Sequence, residues 1–289
     1  MDVETQAWRP EDAVTSRLGG RASHRVGTVE QQRFPIETGL PGYNLSFSRD
    51  TVSDGFFSPL HRHCWDQLRF VLDGSLSIGK ADLEAGDCGY FPEAVAYGPQ
   101  EQAGDATVLV LQFTGAGGLY YPTWGELEAA AEKLRSSGGT FEGGRYKGTA
   151  PDGSRVDQDG YEAMWEAQQG RKLVYPQPRY SDVVIMKSSH YEWLPAPRGR
   201  GVEVKTLGSF TEYQTTVALL RLAAGSRLDS EKLAAPQLRY VLGGAVACGA
   251  LAYPAGSCFW APAGALSAPL DSTAGAELYT VTLPRYAGG

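Results

Sequence analysis

His61 and His63 stand two residues apart in the run SPLHRHCWDQLRFVLDG, and no other residues in this sequence are better suited to chemistry. Alternate residues of an extended chain share a face, so both imidazoles enter one cavity. Two neutral imidazoles are good ligands for iron, nickel, copper, manganese or zinc, and equally serve as proton carriers. Gln67 and Arg69 keep the same parity. A guanidinium facing a cavity invites a carboxylate or phosphate, or else a structural ion pair. By the same alternation Cys64, Asp66 and Glu93 point away from the cavity. Tyr90, Trp65 and Phe56 are candidates for its lining, against the simpler reading as aromatic core. His24 and His190 are isolated in the sequence and are read as ordinary surface or core residues. No phosphate-binding loop, dinucleotide fingerprint or Ser-His-Asp order is present.

The spacing resembles the two signature motifs of the cupins. The first, Gly, five residues, His-x-His, three or four residues, Glu, six residues, Gly, is matched by Gly55, His61, His63, Gln67 and Gly74. The second, Gly, five residues, Pro-x-Gly, two residues, His, is matched by Gly86, Pro92, Ala94 and Tyr97. Gln67 thus replaces the motif's Glu, and Tyr97 its His. The resemblance implies a small β-barrel with a metal pocket, whose ligand set here would be His61, His63, Gln67 and Tyr97. A working mononuclear site usually has at least three protein ligands and an open position. An amide oxygen is a weaker, uncharged substitute for a carboxylate. Tyr97 either ligates as phenolate or acts as an acid or base from an ordinary pKa of about 10.

What the resemblance implies about function follows from those residues. The first expectation is a mononuclear metalloenzyme, an Fe(II)-dependent dioxygenase acting on a small organic substrate, with nickel, copper, manganese and zinc as alternatives in the same site. Arg69, Tyr90 and Trp65 would contact the substrate. The second is a metal-independent isomerase, lyase or cyclase in which Tyr97 and a histidine move a proton. The third is a non-catalytic small-molecule binding protein.

The rest of the chain must position these groups. Its 36 glycines and 17 prolines among 289 residues exceed the usual roughly 12% and punctuate short apolar runs, which is the pattern of an all-β chain rich in turns. A hydrophobic content of 42% supports a packed core. Net charge is −7 with no basic block, which argues against a nucleic-acid partner. The first 30 residues carry charges and no apolar run, so no signal peptide is expected, and no stretch approaches a membrane span. Four cysteines without a C-x-x-C pair read as free thiols in a cytoplasmic protein. The Gly-, Ala- and Arg-rich composition suggests a high-GC bacterium and secondary metabolism. By analogy with cupins, a homodimer is expected.

Residues 1–35 are polar and weakly patterned, an arm or first edge strand. Residues 36–118 form the first barrel and carry the site. Residues 119–182 are a helical connector. One helix starts near Pro122 and Thr123 with Leu127, Ala130, Ala131 and Leu134 as its apolar stripe. A second runs from about Asp157 through Tyr161, Met164 and Trp165 to Gly170. The Gly-rich segment between them reads as a loop. Residues 183–289 repeat the first barrel: QLRFVLDG at 67–74 returns as QLRYVLGG at 237–244, and the same offset of 170 maps Gly55, Gly86, Cys88 and Pro92 onto Gly225, Gly256, Cys258 and Pro262. The expected fold is therefore all-β, two cupin (double-stranded β-helix, or jelly-roll) barrels with a short helical connector. Glu231, Leu233 and Ser267 stand where the first copy has His61, His63 and Tyr97, so the second barrel is expected to be structural.

Overall fold

The computed structural model describes residues 5–18, 25–39, 43–150, 152–211 and 214–285. The chain is mostly β and divides into two compact units. The first comprises Thr15–Arg33 and Leu40–Ile185, the second Met1–Val14, Phe34–Gly39 and Met186–Gly289. Among the described residues, no helix is long and apolar enough to cross a membrane.

In the first unit one sheet holds β1 (Val14–Leu18), β2 (Val29–Arg33), β3 (Leu45–Val52), β5 (Trp65–Asp73), β8 (Cys88–Phe91) and β10 (Ala106–Thr114). Its spatial order is β8-β5-β10-β3-β2-β1, antiparallel throughout the central pairs. A second, four-stranded sheet joins β4 (Phe57–Ser58), β6 (Ser75–Ile78), β7 (Ala81–Glu84) and β9 (Gln100–Glu101) in the order β4-β9-β6-β7. Val29, Val52, Val71 and Val108 of the large sheet pack against Leu76, Ile78 and Leu83 of the small one. Eight of the nine residues of β5 are buried or half-buried, because elements cover both of its faces.

Helix α1 (Trp124–Ser136) begins at a capping box, where Thr123 accepts from the Glu126 amide and Glu126 bonds back to the Thr123 amide. Helix α2 (Gly160–Gln169) is capped by Asp159 and ends at Gly170 in the left-handed conformation. Leu127, Ala130 and Ala131 of the expected stripe are buried together with Tyr161, Met164 and Trp165, and Leu134 is partly buried beside them. The Gly-rich segment between the helices is not a loop. It is a three-stranded antiparallel sheet of Thr140–Glu142, Arg145–Thr149 and Arg155–Asp159. Tyr146 closes tightly over Gly139 and Gly148, where an added Cβ would fall within 2.3 Å of the ring atoms, so the glycines there serve packing as well as turning.

The second unit repeats the framework with β11 (Arg200–Phe210), β12 (Thr215–Leu228), β13 (Gln237–Cys248), β14 (Leu251–Pro254), β15 (Cys258–Ala261), β16 (Leu270–Ser272) and β17 (Ala276–Thr282). The repeat extends to single hydrogen bonds. Val71 N–H to Asp87 O, Gly86 N–H to Val71 O, Ala94 N–H to His63 O and Tyr97 N–H to His61 O recur 170 residues on as Val241 to Ser257, Gly256 to Val241, Gly264 to Leu233 and Ser267 to Glu231. Residues 1–35, read from sequence as an arm or edge strand, contribute strands to both units. Gln6–Trp8 pairs with β15, while β2 pairs with β3.

Candidate active site in the first unit

Strand register assembles the site. On one face of β5 lie Gln67 and Arg69, paired with Gln112 and Val110 of β10; one step further Val108 pairs with Asp50 of β3, and Asp50 with Gln31 of β2. A two-way backbone bridge fixes His61 beside Tyr97, with N–H to O distances of 3.1 and 2.9 Å. Apart from Tyr97, which touches His63 and Arg69 without lining it, these residues surround a cavity of about 220 Å³ whose lining includes His61, His63, Trp65, Gln67, Arg69 and Phe56. It is small beside the usual roughly 300–1,000 Å³ of ligand pockets, so its occupant is compact. Trp124, Leu127, Ala131, Tyr161 and Met164 from the helices form an apolar wall.

The two histidines are held differently. Nδ1 of His61 lies 2.6 Å from the carbonyl oxygen of Pro59 and 3.2 Å from Ser58 Oγ. A carbonyl only accepts, so that bond assigns the proton to Nδ1 and puts the ring's lone pair on Nε2. His63 stacks on Trp65 at 4.2 Å with 9° between planes, and its ring centroid is 4.8 Å from that of His61. Tyr97 Oη is 3.3 and 3.4 Å from its two ring nitrogens.

Arg69 ties the remaining polar groups together. Its Nε donates to Gln67 Oε1 at 2.9 Å, Nη1 to Gln100 Oε1 at 2.8 Å and Nη2 to Tyr97 Oη at 3.0 Å. The guanidinium lies over Phe91, 4.7 Å from the ring centroid. All three hydrogen-bond acceptors are neutral. Burial raises the Tyr97 hydroxyl above its usual pKa, against the opposing pull of Arg69 and Arg25.

As a metal site this donor set is sparse. Among the described residues no three His, Cys, Asp or Glu stand together where they could hold an ion. The imidazoles of His61 and His63 fit a divalent transition ion. Gln67 Oε1 and Tyr97 Oη could complete the set, but both are engaged by a fixed positive charge, so an ion there competes with Arg69. The arrangement fits a weakly held ion with few protein ligands.

The other expected residues fall as follows. Trp65 lines the cavity; Tyr90 does not. Tyr90 pairs with Leu68, on the opposite face of β5 from Gln67 and Arg69, and packs edge-on against Tyr180. Phe91, its neighbour, faces the guanidinium instead. Of the two readings of Tyr90, the simpler one, aromatic core, is the one the structure shows. Cys64 points into the helical cluster, bonded to Tyr120 O and Tyr161 Oη, and burial pushes its thiol up to about 12, which removes it as a nucleophile. Asp66 and Glu93 are outside the cavity yet fully buried: Asp66 accepts from the Glu93 amide at 2.8 Å and pairs with Arg179 at 3.2 Å. Burial, with Asp66 nearby, brings the Glu93 carboxyl up to about 7. His190 is exposed in the second unit, and His24 lies outside the described residues.

Sequence reading missed Gln31, Asp50, Gln100 and Arg25, all of which line the cavity. Arg25 is paired with Asp159 at 3.5 Å. The one available signal was Asp50, a carboxylate within the β-like run SFSRDTV.

Comparison with known proteins supports the fold. Residues 181–287 match the ChrR cupin-like domain family. No curated protein sequence matches the chain. Among solved structures, a presumptive dioxygenase from Nostoc punctiforme superposes with a TM-score of 0.68 at 15% identity, covering 99% of this chain and 86% of that one. A presumptive glyoxylate-induced protein from Pseudomonas aeruginosa gives 0.62 at 12%, covering 100% and 93%. Oxalate decarboxylase from Bacillus subtilis, an enzyme with Mn(II) centres, gives 0.57 at 15%, covering 98% and 78%. At these identities the likeness is one of fold, and the cupin-like family match itself covers residues 181–287.

Proposed function

We propose that the first barrel is the active site of a small-molecule metalloenzyme in which His61 and His63 hold one divalent transition ion, Fe(II) in the first place, and that it acts as a dioxygenase. The observation that carries this reading is the imidazole pair lining the cavity, with the tautomer of His61 set by the Pro59 carbonyl so that Nε2 carries the lone pair a metal would need. A bound iron would supply Lewis acidity and the redox capacity that oxygen chemistry requires. The chain's own residues do the rest. The helical wall of Trp124, Leu127, Tyr161 and Met164 excludes water from the reacting end. Arg69 orients Gln67 and Tyr97, and the Tyr97 hydroxyl, within reach of His63, holds or passes a proton.

The test is elemental analysis of protein purified without chelator, beside the His61→Ala/His63→Ala variant, followed by oxygen-uptake screening. The expected result is close to one iron, or another transition ion, per chain in the wild type and none in the variant. Wild-type protein that stays metal-free when offered each ion sinks the reading.

One observation favours a second reading. Arg69 already occupies the oxygens of Gln67 and Tyr97, which leaves a Tyr97–His63 couple at 3.3 Å able to transfer protons with no metal present. That isomerase or lyase chemistry would continue under argon.

A further inference from the structure

The cavity contains a second polar pole that neither the metal reading nor the Tyr97 couple uses. Asp50 and Gln31 lie side by side on β3 and β2, each only 6% exposed, and both line the cavity. Gln31 Nε2 donates to Asp50 Oδ2 at 2.8 Å. The other two oxygens, Asp50 Oδ1 and Gln31 Oε1, accept no hydrogen bond although buried. Two adjacent acceptors without a donor are costly in a protein interior unless something in the cavity supplies one. Trp65 Nε1, on the same cavity, is a buried donor without an acceptor.

The pole has a defined relation to Arg69. Arg69 pairs with Val110 and Asp50 with Val108, so the two charges sit on one face of the sheet, two strands and one alternate position apart. At about 4.8 Å per strand the backbones are roughly 10 Å apart. Between them the floor is Val108 and Val110, and aromatic rings of Phe56, Trp65 and Tyr121 surround it. Asp50 therefore does not neutralise Arg69 by contact. The cavity offers acceptors at one end, a cation at the other and an apolar middle.

We infer that Asp50 and Gln31 form a substrate-recognition subsite for a hydrogen-bond donor, a hydroxyl or an ammonium group, on a compact molecule whose opposite end is an anion directed at Arg69. The substrate class is thus a small, flat or single-ring hydroxy or amino acid. This rests on the proposed function only in taking the same cavity as the substrate's; it requires no metal and no turnover. Both residues bind and orient, since their oxygens would touch the substrate directly.

Four probes test it by isothermal titration calorimetry, with both metal-free and iron-loaded protein: 4-hydroxybenzoate, 4-(aminomethyl)benzoate, 4-methoxybenzoate and benzoate. The two donor-bearing probes are expected to bind at least about tenfold more tightly than the methoxy and unsubstituted ones, since loss of a hydrogen bond to a charged group has that scale. Which of the two binds better identifies hydroxyl or ammonium as the natural donor. In Asp50→Asn and in Gln31→Met the preference is expected to fall towards unity while benzoate affinity stays; in Arg69→Met all four are expected to weaken together. Equal affinity for the 4-hydroxy and 4-methoxy probes overturns the inference. So does an undiminished preference in both the Asp50 and Gln31 variants, or failure of every donor-bearing probe to bind. Binding selectivity in protein that shows no metal or oxygen uptake would leave the subsite standing and retire only the dioxygenase.

Discussion

The two barrels share a backbone and differ in what fills it. At the offset of 170, Asp50, Ser58 and Gln100 of the first become Leu220, Leu228 and Leu270 of the second, and those three leucines belong to a continuous core with Leu222, Val241 and Leu278. His61, His63 and Tyr97 become Glu231, Leu233 and Ser267. Even the retained arginine changes meaning. Arg239 is 4% exposed, donates to Ala268 O at 3.3 Å and stands 3.9 Å from Glu231. Arg69 has only neutral acceptors. The second unit does have a depression, lined by Thr5, Ala7, Ser230, Cys248 and residues of the 263–269 loop, but no imidazole, carboxylate or guanidinium lines it. One framework thus tolerates either a solid apolar interior or a polar cavity. The landmarks that specify the fold are not the residues that specify the chemistry.

That contrast can be broken first by exchanging the interiors. Leu220→Asp places a carboxylate in a dry core with no partner and is expected to cost about 4 kcal/mol or more, read as loss of the second unit's unfolding transition at its normal denaturant concentration. The reciprocal change has the opposite sign. Burial raises the Asp50 carboxyl from 3.8 to about 6, which means the folded state disfavours the charged form. The penalty is fully present above about pH 6 and disappears below 3.8. Asp50→Asn is therefore expected to stabilise the first unit by about 2–3 kcal/mol at pH 8 and by nothing measurable at pH 4. Denaturant titrations at the two pH values check this. A variant less stable than wild type at pH 8 would show that the hydrogen bond Asp50 accepts from Gln31 outweighs the cost of burying its charge.

The smallest effect lies at the tight turn after each barrel's proline. Ala94 has φ of 67°, and Gly264, its counterpart, has φ of 85°. Alanine in the left-handed region costs about 1–2 kcal/mol. A Cβ at Gly264 meets nothing within 4 Å, so Gly264→Ala isolates that backbone cost, about 1 kcal/mol of destabilisation. Ala94→Gly relieves it, with a gain under about 1 kcal/mol because glycine also loosens the unfolded chain. Equal stability in both variants would mean that the turn yields to its residue.

Much of this was legible in the sequence. The barrel landmarks, the offset of 170, the helix caps at Thr123 and Gly170 and the shared face of His61, His63, Gln67 and Arg69 are local patterns, fixed by strand alternation, turn chemistry and capping. Alternation also placed Cys64 outside the cavity, but Tyr90, a candidate for its lining, pairs with Leu68 and belongs to the core on the other face. The three-stranded sheet at 140–159 hid behind its glycines. What the sequence could not show is which distant residues meet. Gln31 and Arg25 come from a stretch that looks weakly patterned, and Gln31 meets Asp50 at the cavity only because β2 and β3 pair beside β10. Arg69 and Arg239 look alike in sequence; one reaches only neutral acceptors while the other stands 3.9 Å from Glu231. Fold is written in short-range repeats, each enforced by its own backbone geometry. The site is set by cross-strand neighbours, and that adjacency exists only after the sheets have closed.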